Sequence, residues 1–143
     1  MTFVVDTSVA VKWVVDEPDR SLARCLLDTV DRIEAPDFVF VEAANVLWKK
    51  VQRRELSGQQ AVEGLDALFR LIESIVPSNL LVERALRIAI DMARPVCDCL
   101  YLACVEHSKA DLVTANARFA AKAGTSFSGA SAYALSEFGG ARC

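Results

Sequence analysis

The chain has 143 residues, of which 53% are hydrophobic and 24% are charged, a composition typical of one folded domain and unlike that of disordered chains. Its 16 basic and 19 acidic side chains give a net charge of −3, which excludes a histone-like protein that binds nucleic acid through bulk positive charge. No apolar run reaches the ~20 residues of a membrane helix, and the first residues lack the basic start of a signal peptide, so we expect a cytoplasmic protein.

Short apolar runs alternate with helical segments in the first half of the chain. Residues 3–5 combine β-branched and aromatic side chains, which predicts a buried strand, and residues 33–36 predict a second strand or a connector. Capping residues and prolines delimit four helices, predicted over about 8–15, 19–31, 37–54 and 57–74. The last helix begins with Ser57-Gly58-Gln59-Gln60, which has the form of a capping box.

The second half of the chain continues this alternation. Further strands are predicted at 75–76 and 111–114, and further helices at 78–93, 98–108 and 116–123. The last twenty residues predict one edge strand followed by a tail. Strands separated by helices imply a parallel sheet with right-handed crossovers. We therefore predict one α/β domain over residues 1–143, with a small, mainly parallel central sheet wrapped by about seven helices and a tail from about 129 that is left unassigned.

Three acidic residues lie in apolar surroundings. Asp6 follows the first strand, Glu42 lies within the segment 38–44, and Asp98 lies within the segment 96–100. Burying one carboxylate is unfavourable, and burying several close together is worse unless a positive charge joins them. These three residues are therefore candidates for one shared site.

Each acidic residue also has a structural interpretation. A helix N-cap would explain Asp6 or Asp98 when either is taken alone. Glu42 lies five residues into its helix, on the face that carries Phe38 and Val46. A structural role for Glu42 therefore requires a buried Lys or Arg partner.

One shared cation explains the three acidic residues together. Loops at the carboxyl ends of strands in an open α/β sheet converge on one crevice, and Asp6 is predicted at such an end. Oxygen ligands without histidine or cysteine favour Mg²⁺ or Mn²⁺ over zinc. Asn116 follows the predicted strand at 111–114 and joins the same edge, although it also fits a helix N-cap.

The five cysteines do not form a zinc pattern. No two of them are spaced as Cys-x-x-Cys, and His107, the single histidine, is expected to be structural. Their odd number excludes complete internal pairing. In a reducing cytoplasm we expect thiols that act as small core residues.

The ordered set of motifs resembles the PIN domain family, and more narrowly the VapC-type toxin ribonucleases of toxin–antitoxin pairs. Four segments carry the resemblance between about residues 2 and 128: Asp6-Thr7-Ser8, Glu42 with Asn45-Val46-Leu47, Asp98-Cys99-Leu100-Tyr101-Leu102-Ala103, and Leu112-Val113-Thr114-Ala115-Asn116-Ala117-Arg118-Phe119. No single motif is specific for this family, whereas the four motifs in this order, in a chain of this length, are specific for it.

The resemblance implies a sheet of four or five parallel strands and a site of three or four acidic residues that holds one or two Mg²⁺ or Mn²⁺ ions. It also implies endonucleolytic cleavage of RNA by a homodimer that a VapB-type antitoxin neutralises. This chain departs from the family at one position, because Asn116 stands where the family commonly has Asp. A neutral ligand there removes one negative charge and is expected to weaken metal binding.

Nine residues receive roles on this interpretation. Asp6, Glu42 and Asp98 are the catalytic metal ligands, and Asn116 joins them through its amide oxygen or a water. Two hydroxyl residues, Ser8 and Thr114, are expected to orient ligands or waters. Three basic residues flank the acidic motifs and are expected to bind RNA phosphates: Lys12, Arg94 and Arg118.

Two other functions use similar residues. A haloacid-dehalogenase-like phosphatase or a receiver domain also places Asp at a strand end beside Mg²⁺, but the phosphatase needs a second Asp where Ser8 stands, and a receiver needs a mid-chain Asp and a late Lys that are not evident. The Asn116 departure also allows a degenerate PIN-like module that binds RNA or protein without cleavage.

Overall fold

A five-stranded parallel sheet lies at the centre of the structure, a computed structural model that describes residues 1–127 and 131–137. The strand order is β3-β2-β1-β4-β5, with β1 at Thr2–Val5, β2 at Arg32–Pro36, β3 at Ser74–Val76, β4 at Asp111–Thr114 and β5 at Ala132–Ala134. All four strand pairs are parallel. The predicted α/β architecture is confirmed, including an edge strand in the last twenty residues.

Seven α-helices and one 3₁₀ turn flank the sheet within the described ranges. The α-helices are α1 (Thr7–Val14), α2 (Arg20–Thr29), α3 (Phe38–Gln52), α4 (Gly58–Leu71), α5 (Val82–Met92), α6 (Val96–Ser108) and α7 (Ala117–Ser126), and the 3₁₀ turn is Ser78–Leu80. The capping box predicted at Ser57 and Gln60 is present at the start of α4. The helix number expected from the sequence is confirmed.

Three predicted helix boundaries are wrong. The segment predicted as one helix from residue 78 begins as the 3₁₀ turn, and α5 starts only at Val82. The helix α6 starts at Val96 rather than at Asp98, because Pro95 occupies the N-cap position and its missing N–H is not needed there. Gly124 does not end α7, because its φ is not positive and the helix continues to Ser126.

The strand β1 occupies the centre of the sheet because its side chains are apolar on both faces. Phe3, Val4 and Val5 are fully buried, as expected for a parallel strand covered by helices on both sides. From β1 the chain first adds β2 and β3 on one side of the sheet and then β4 and β5 on the other, so the topological switch point lies between β1 and β4. Ligands of open α/β sheets bind outside the carboxyl ends of the strands at such a point. This edge is where Asp6 and Asn116 follow their strands.

The cysteine and tryptophan side chains have mixed environments. Cys99 and Cys104 are buried thiols as expected, whereas Cys97 is an exposed thiol, so the expectation of burial is wrong at this position. Trp13 is buried, and its indole N–H donates to a backbone carbonyl at 2.7 Å.

None of the helices described is long and apolar enough to cross a bilayer.

Candidate functional site

Asp6 lies between the end of β1 and the start of α1, where it both caps the helix and accepts two hydroxyl hydrogen bonds. The backbone N–H of Val9 donates to Oδ1 at 3.4 Å. The Ser8 hydroxyl donates to Oδ1 at 2.5 Å, and the Thr114 hydroxyl, at the end of β4, donates to Oδ2 at 2.5 Å. The helix-cap interpretation of Asp6 is therefore correct, and the same carboxylate is fixed at the carboxyl ends of two neighbouring strands.

The surroundings of Asp6 disfavour its charged form. The residue is 8% exposed, and burial, with a smaller contribution from the charge of Glu42, raises the pKa of its carboxyl from 3.8 to about 6 despite the hydroxyl hydrogen bonds. Within residues 1–127 and 131–137, no ion pair involves Asp6 or Glu42. A nearby cation would relieve this unfavourable arrangement.

Glu42 lies in α3 and is held by hydroxyl groups instead of a base. Its Oε1 accepts hydrogen bonds from the Tyr101 hydroxyl and from the Thr7 hydroxyl, the latter at 3.1 Å. The oxygens of Thr7 and Tyr101 are themselves 2.9 Å apart. The buried Lys or Arg that a purely structural Glu42 required is not present among the residues described.

Tyr101 and Thr7 were missed by the sequence interpretation, which assigned them no role. Burial and the charge of Glu42 raise the pKa of the Tyr101 hydroxyl far above its usual range, so it remains a proton donor to Glu42. One signal for it was available, because Tyr101 lies three residues after Asp98 and therefore on the neighbouring face of α6. Thr7 is the second residue of the Asp6-Thr7-Ser8 motif.

Asp98 has a cation partner of its own. Its side chain is 39% exposed, and Arg94 donates to its Oδ2 through Nε at 3.1 Å. The Arg94 guanidinium also lies over the Phe119 ring, 4.5 Å from the ring centroid. The helix-cap interpretation of Asp98 is wrong, because the residue lies within the first turn of α6.

Asn116 caps α7 through its side chain. Its Oδ1 accepts a hydrogen bond from the backbone N–H of Phe119 at 3.1 Å, and its own N–H donates to Thr114 Oγ1 at 3.1 Å. A chain of contacts therefore connects three of the four predicted metal ligands: Asp6 through Thr114 to Asn116, then through Phe119 and Arg94 to Asp98. Glu42 joins α6 through Tyr101.

The donor set fits a hard divalent cation at Asp6 and Glu42 but does not form a closed site. No group of three or more His, Cys, Asp or Glu residues within the described ranges is placed to hold a metal ion. Carboxylate oxygens without a basic partner are the donors that Mg²⁺ and Mn²⁺ prefer. Asp98, the third predicted carboxylate, is paired with Arg94.

A cleft of about 450 Å³ opens beside Glu42. Ser8 and Glu42 line one part of it, and Lys12 and Lys49 line another. Lys12 is one of the predicted RNA contacts. Arg118, a second one, is exposed beside Asn116, whereas Arg94 is occupied by Asp98. His107 is exposed and lines none of this cleft.

One comparison with known proteins identifies a family. The sequence model of the PIN domain family matches residues 3–125, whereas no curated protein matches the chain significantly. Three crystal structures resemble the fold at low identity. The PAE2754 protein of Pyrobaculum aerophilum has a TM-score of 0.73 at 19% identity, with 97% of this chain and 96% of that chain covered.

The other two structures are described as VapC20 and VapBC2. VapC20 of Mycobacterium tuberculosis, described as a toxin that cleaves the sarcin-ricin loop, has a TM-score of 0.67 at 16% identity and covers 83% of this chain and 93% of its own. The VapBC2 structure of Rickettsia felis, bound to a promoter DNA fragment, has a TM-score of 0.65 at 15% identity, with 94% and 98% covered. At these identities the likeness concerns the fold.

Proposed function

Since the chain belongs to the PIN domain family, we propose that it is a Mg²⁺- or Mn²⁺-dependent endoribonuclease and the toxin of a VapBC-type toxin–antitoxin pair. One observation carries the proposal. Asp6 and Glu42, 36 positions apart in the sequence, are brought near each other beside the switch point of the sheet with no basic partner. A cleft leads from Glu42 to two lysines, as a nuclease of a charged polymer requires.

The chain's own residues have distinct tasks in this proposal. Asp6 and Glu42 bind the cation, and Asp98 completes the set when it leaves Arg94. Asn116 contributes a neutral amide oxygen. Ser8 and Thr114 fix the orientation of the Asp6 carboxylate, while Thr7 and Tyr101 fix that of Glu42.

When it is bound, a divalent cation polarises a phosphodiester and lowers the pKa of a water. No histidine of the described ranges lines the cleft, so general-base work falls to a carboxylate of the site. Lys12, Arg118 and, once free of Asp98, Arg94 bind phosphates of the RNA. The positive charges keep the substrate at an otherwise acidic site.

The proposed partners are RNA, a second copy of the chain and a VapB-type antitoxin, within the cytoplasm. The VapBC2 likeness supports an antitoxin. Two exposed apolar surfaces support protein partners. One includes Trp48 and Val62 of the α3–α4 pair, and the other includes Val82, Leu86 and Ile90 of α5. Exposed apolar side chains that lie together are typical of interaction sites.

A module that binds RNA without cleavage is the second candidate. Two observations favour it: Asn116 is a neutral helix cap, and Asp98 is neutralised by Arg94. Only two carboxylates of the predicted site then remain for a metal. The phosphatase alternative has no such support, because the position of its second Asp is a serine that donates to Asp6.

Incubation of the purified protein with total cellular RNA separates these functions. We expect endonucleolytic fragments in Mn²⁺ or Mg²⁺, complete inhibition by EDTA, and recovery when excess Mn²⁺ is returned. RNA that is bound but stays intact in Mn²⁺ would identify the non-cleaving module. Undiminished cleavage in EDTA would contradict the metal dependence.

A further inference from the structure

The cleft beside Glu42 has ends of opposite charge. At one end Ser8 and Glu42 adjoin the proposed metal site, and at the other end two lysines, Lys12 and Lys49, line the wall with one acidic residue, Glu17. A scissile phosphate bound at the acidic end through a cation leaves the next phosphate of the RNA strand free. The lysine end offers the positive charge that this second phosphate needs.

Lys12 is fixed in place rather than mobile. Its side chain is 11% exposed, and its ammonium donates to Glu17 Oε2 at 3.3 Å and to the backbone carbonyl of Pro18 at 2.9 Å. An ammonium has three donors, so one remains for a ligand. A flexible surface lysine would lose side-chain entropy when it bound a phosphate, whereas Lys12 has already lost it.

Glu17 is the charged partner of Lys12. It belongs to the segment between α1 and α2, and its second oxygen accepts from Lys50 of α3 at 3.0 Å. The hydrogen bonds and charges of Lys50 and Lys12 lower the pKa of the Glu17 carboxyl below its usual range, so it stays ionised. Glu17 thus ties the end of α1 to α3, the two helices that carry Lys12 and Glu42.

We propose that Glu17 is a positioning residue, which holds the Lys12 ammonium at the basic end of the cleft to bind the phosphate next to the one that is cleaved. The inference rests on the proposed ribonuclease function and specifies how the site binds a second phosphate of the RNA. It predicts an unusual effect of a negative charge on RNA binding. An acidic residue that lines the binding cleft strengthens the binding of an anion, because it acts through the lysine.

The sign of the effect of Glu17→Gln therefore tests the proposal. Removal of a negative charge near the cleft tightens RNA binding if the charge acts directly. If Glu17 positions Lys12, the substitution weakens binding by about fivefold. Glu55→Gln is the matched control, because Glu55 is the other partner of Lys50 at 3.3 Å and makes no ion pair with Lys12.

The measurement is fluorescence anisotropy of a short labelled single-stranded RNA of mixed sequence over a range of salt concentrations. It is made with Ca²⁺, an oxygen-binding cation, in place of Mn²⁺, so that the carboxylate site is occupied. A denaturing gel of the same samples verifies that the RNA stays intact. Lys12→Met is expected to reduce the salt slope by about 0.7, the value for one phosphate contact on a single strand. In the Lys12→Met background, Glu17→Gln is expected to have no further effect on affinity, because the two residues act as one unit. Lys12→Arg retains the charge and is expected to restore most of the binding.

Three outcomes overturn parts of the account. Binding by Glu17→Gln that is equal to or tighter than that of the wild type contradicts the positioning role. Additive losses in the double variant also contradict it, because they show that Glu17 acts independently of Lys12. If the wild-type protein binds no RNA at any salt concentration, the proposed function itself fails. Thermal melting of each variant shows whether a loss of fold is responsible for its weaker binding.

Discussion

Replacement of Asp6 by Asn is expected to reduce Mn²⁺-dependent RNA cleavage by about a hundredfold or more. The change keeps the shape of the side chain and its ability to cap α1, because Asn and Asp are comparable N-caps. It removes the charge that is the strongest reason for a cation to bind beside β1. Glu42→Gln is expected to have a similar effect, since Tyr101 and Thr7 can still hydrogen-bond to a neutral amide oxygen.

The control for both variants is Glu106→Gln. Glu106 lies near the end of α6, pairs with Arg84 at 3.1 Å and is half-exposed, so its replacement changes the net charge equally without touching the site. We expect it to cleave like the wild type. Cleavage by Asp6→Asn at the wild-type rate in the same Mn²⁺ buffer would remove Asp6 from the chemistry.

The same Asp6→Asn variant is expected to be more stable than the wild type when metal is absent. The pKa of the Asp6 carboxyl is raised from 3.8 to about 6, so the folded state binds its proton more tightly than the unfolded state does. Ionisation then opposes folding, and wild-type stability falls as the pH rises from about 4 through about 6. Above about pH 7 the full difference applies, which makes the variant more stable by about 1 to 3 kcal/mol.

Urea denaturation at two pH values in EDTA measures this difference. The advantage of the variant should shrink to below about 1 kcal/mol near pH 4, where the wild-type carboxyl is protonated in the folded protein. Saturating Mn²⁺ at neutral pH should stabilise the wild type and leave the variant unchanged. A variant that is less stable than the wild type at every pH would show that the Asp6 charge is well compensated inside the protein.

The fold was predictable because its signals are local and agree with one another. The apolar run of β1, the capping box at Ser57 and the proline breaks each identify an element within a few residues of its true position. The boundary at Val96 was not predictable from the capping preference of Asp98, because Pro95 began the helix earlier. The extension of α7 through Gly124 likewise runs against the low helix preference of glycine, so that preference alone did not predict it.

The candidate site was only partly predictable, because side-chain contacts between distant segments leave no periodic signal. The sequence indicated that Asp6 and Glu42 are charged residues in apolar surroundings, and it allowed both of them to belong to one site. It did not indicate that Tyr101 and Thr7 hold Glu42, because the position of Tyr101 three residues after Asp98 predicts its face of α6 but not its partner. The pairing of Arg94 with Asp98 was not predictable from the helical i, i+4 rule, because Arg94 lies before Pro95 and outside α6.

The central claim is that Asp6 and Glu42 share a divalent cation at the carboxyl ends of β1 and β4. A crystal of the wild-type protein grown in Mn²⁺, with data collected at the manganese absorption edge, tests it most directly. The account predicts an anomalous peak in contact with carboxylate oxygens of both residues, with Asp98 turned from Arg94 towards it. An empty position between Asp6 and Glu42 at saturating Mn²⁺, with Asp98 still paired to Arg94, would contradict it.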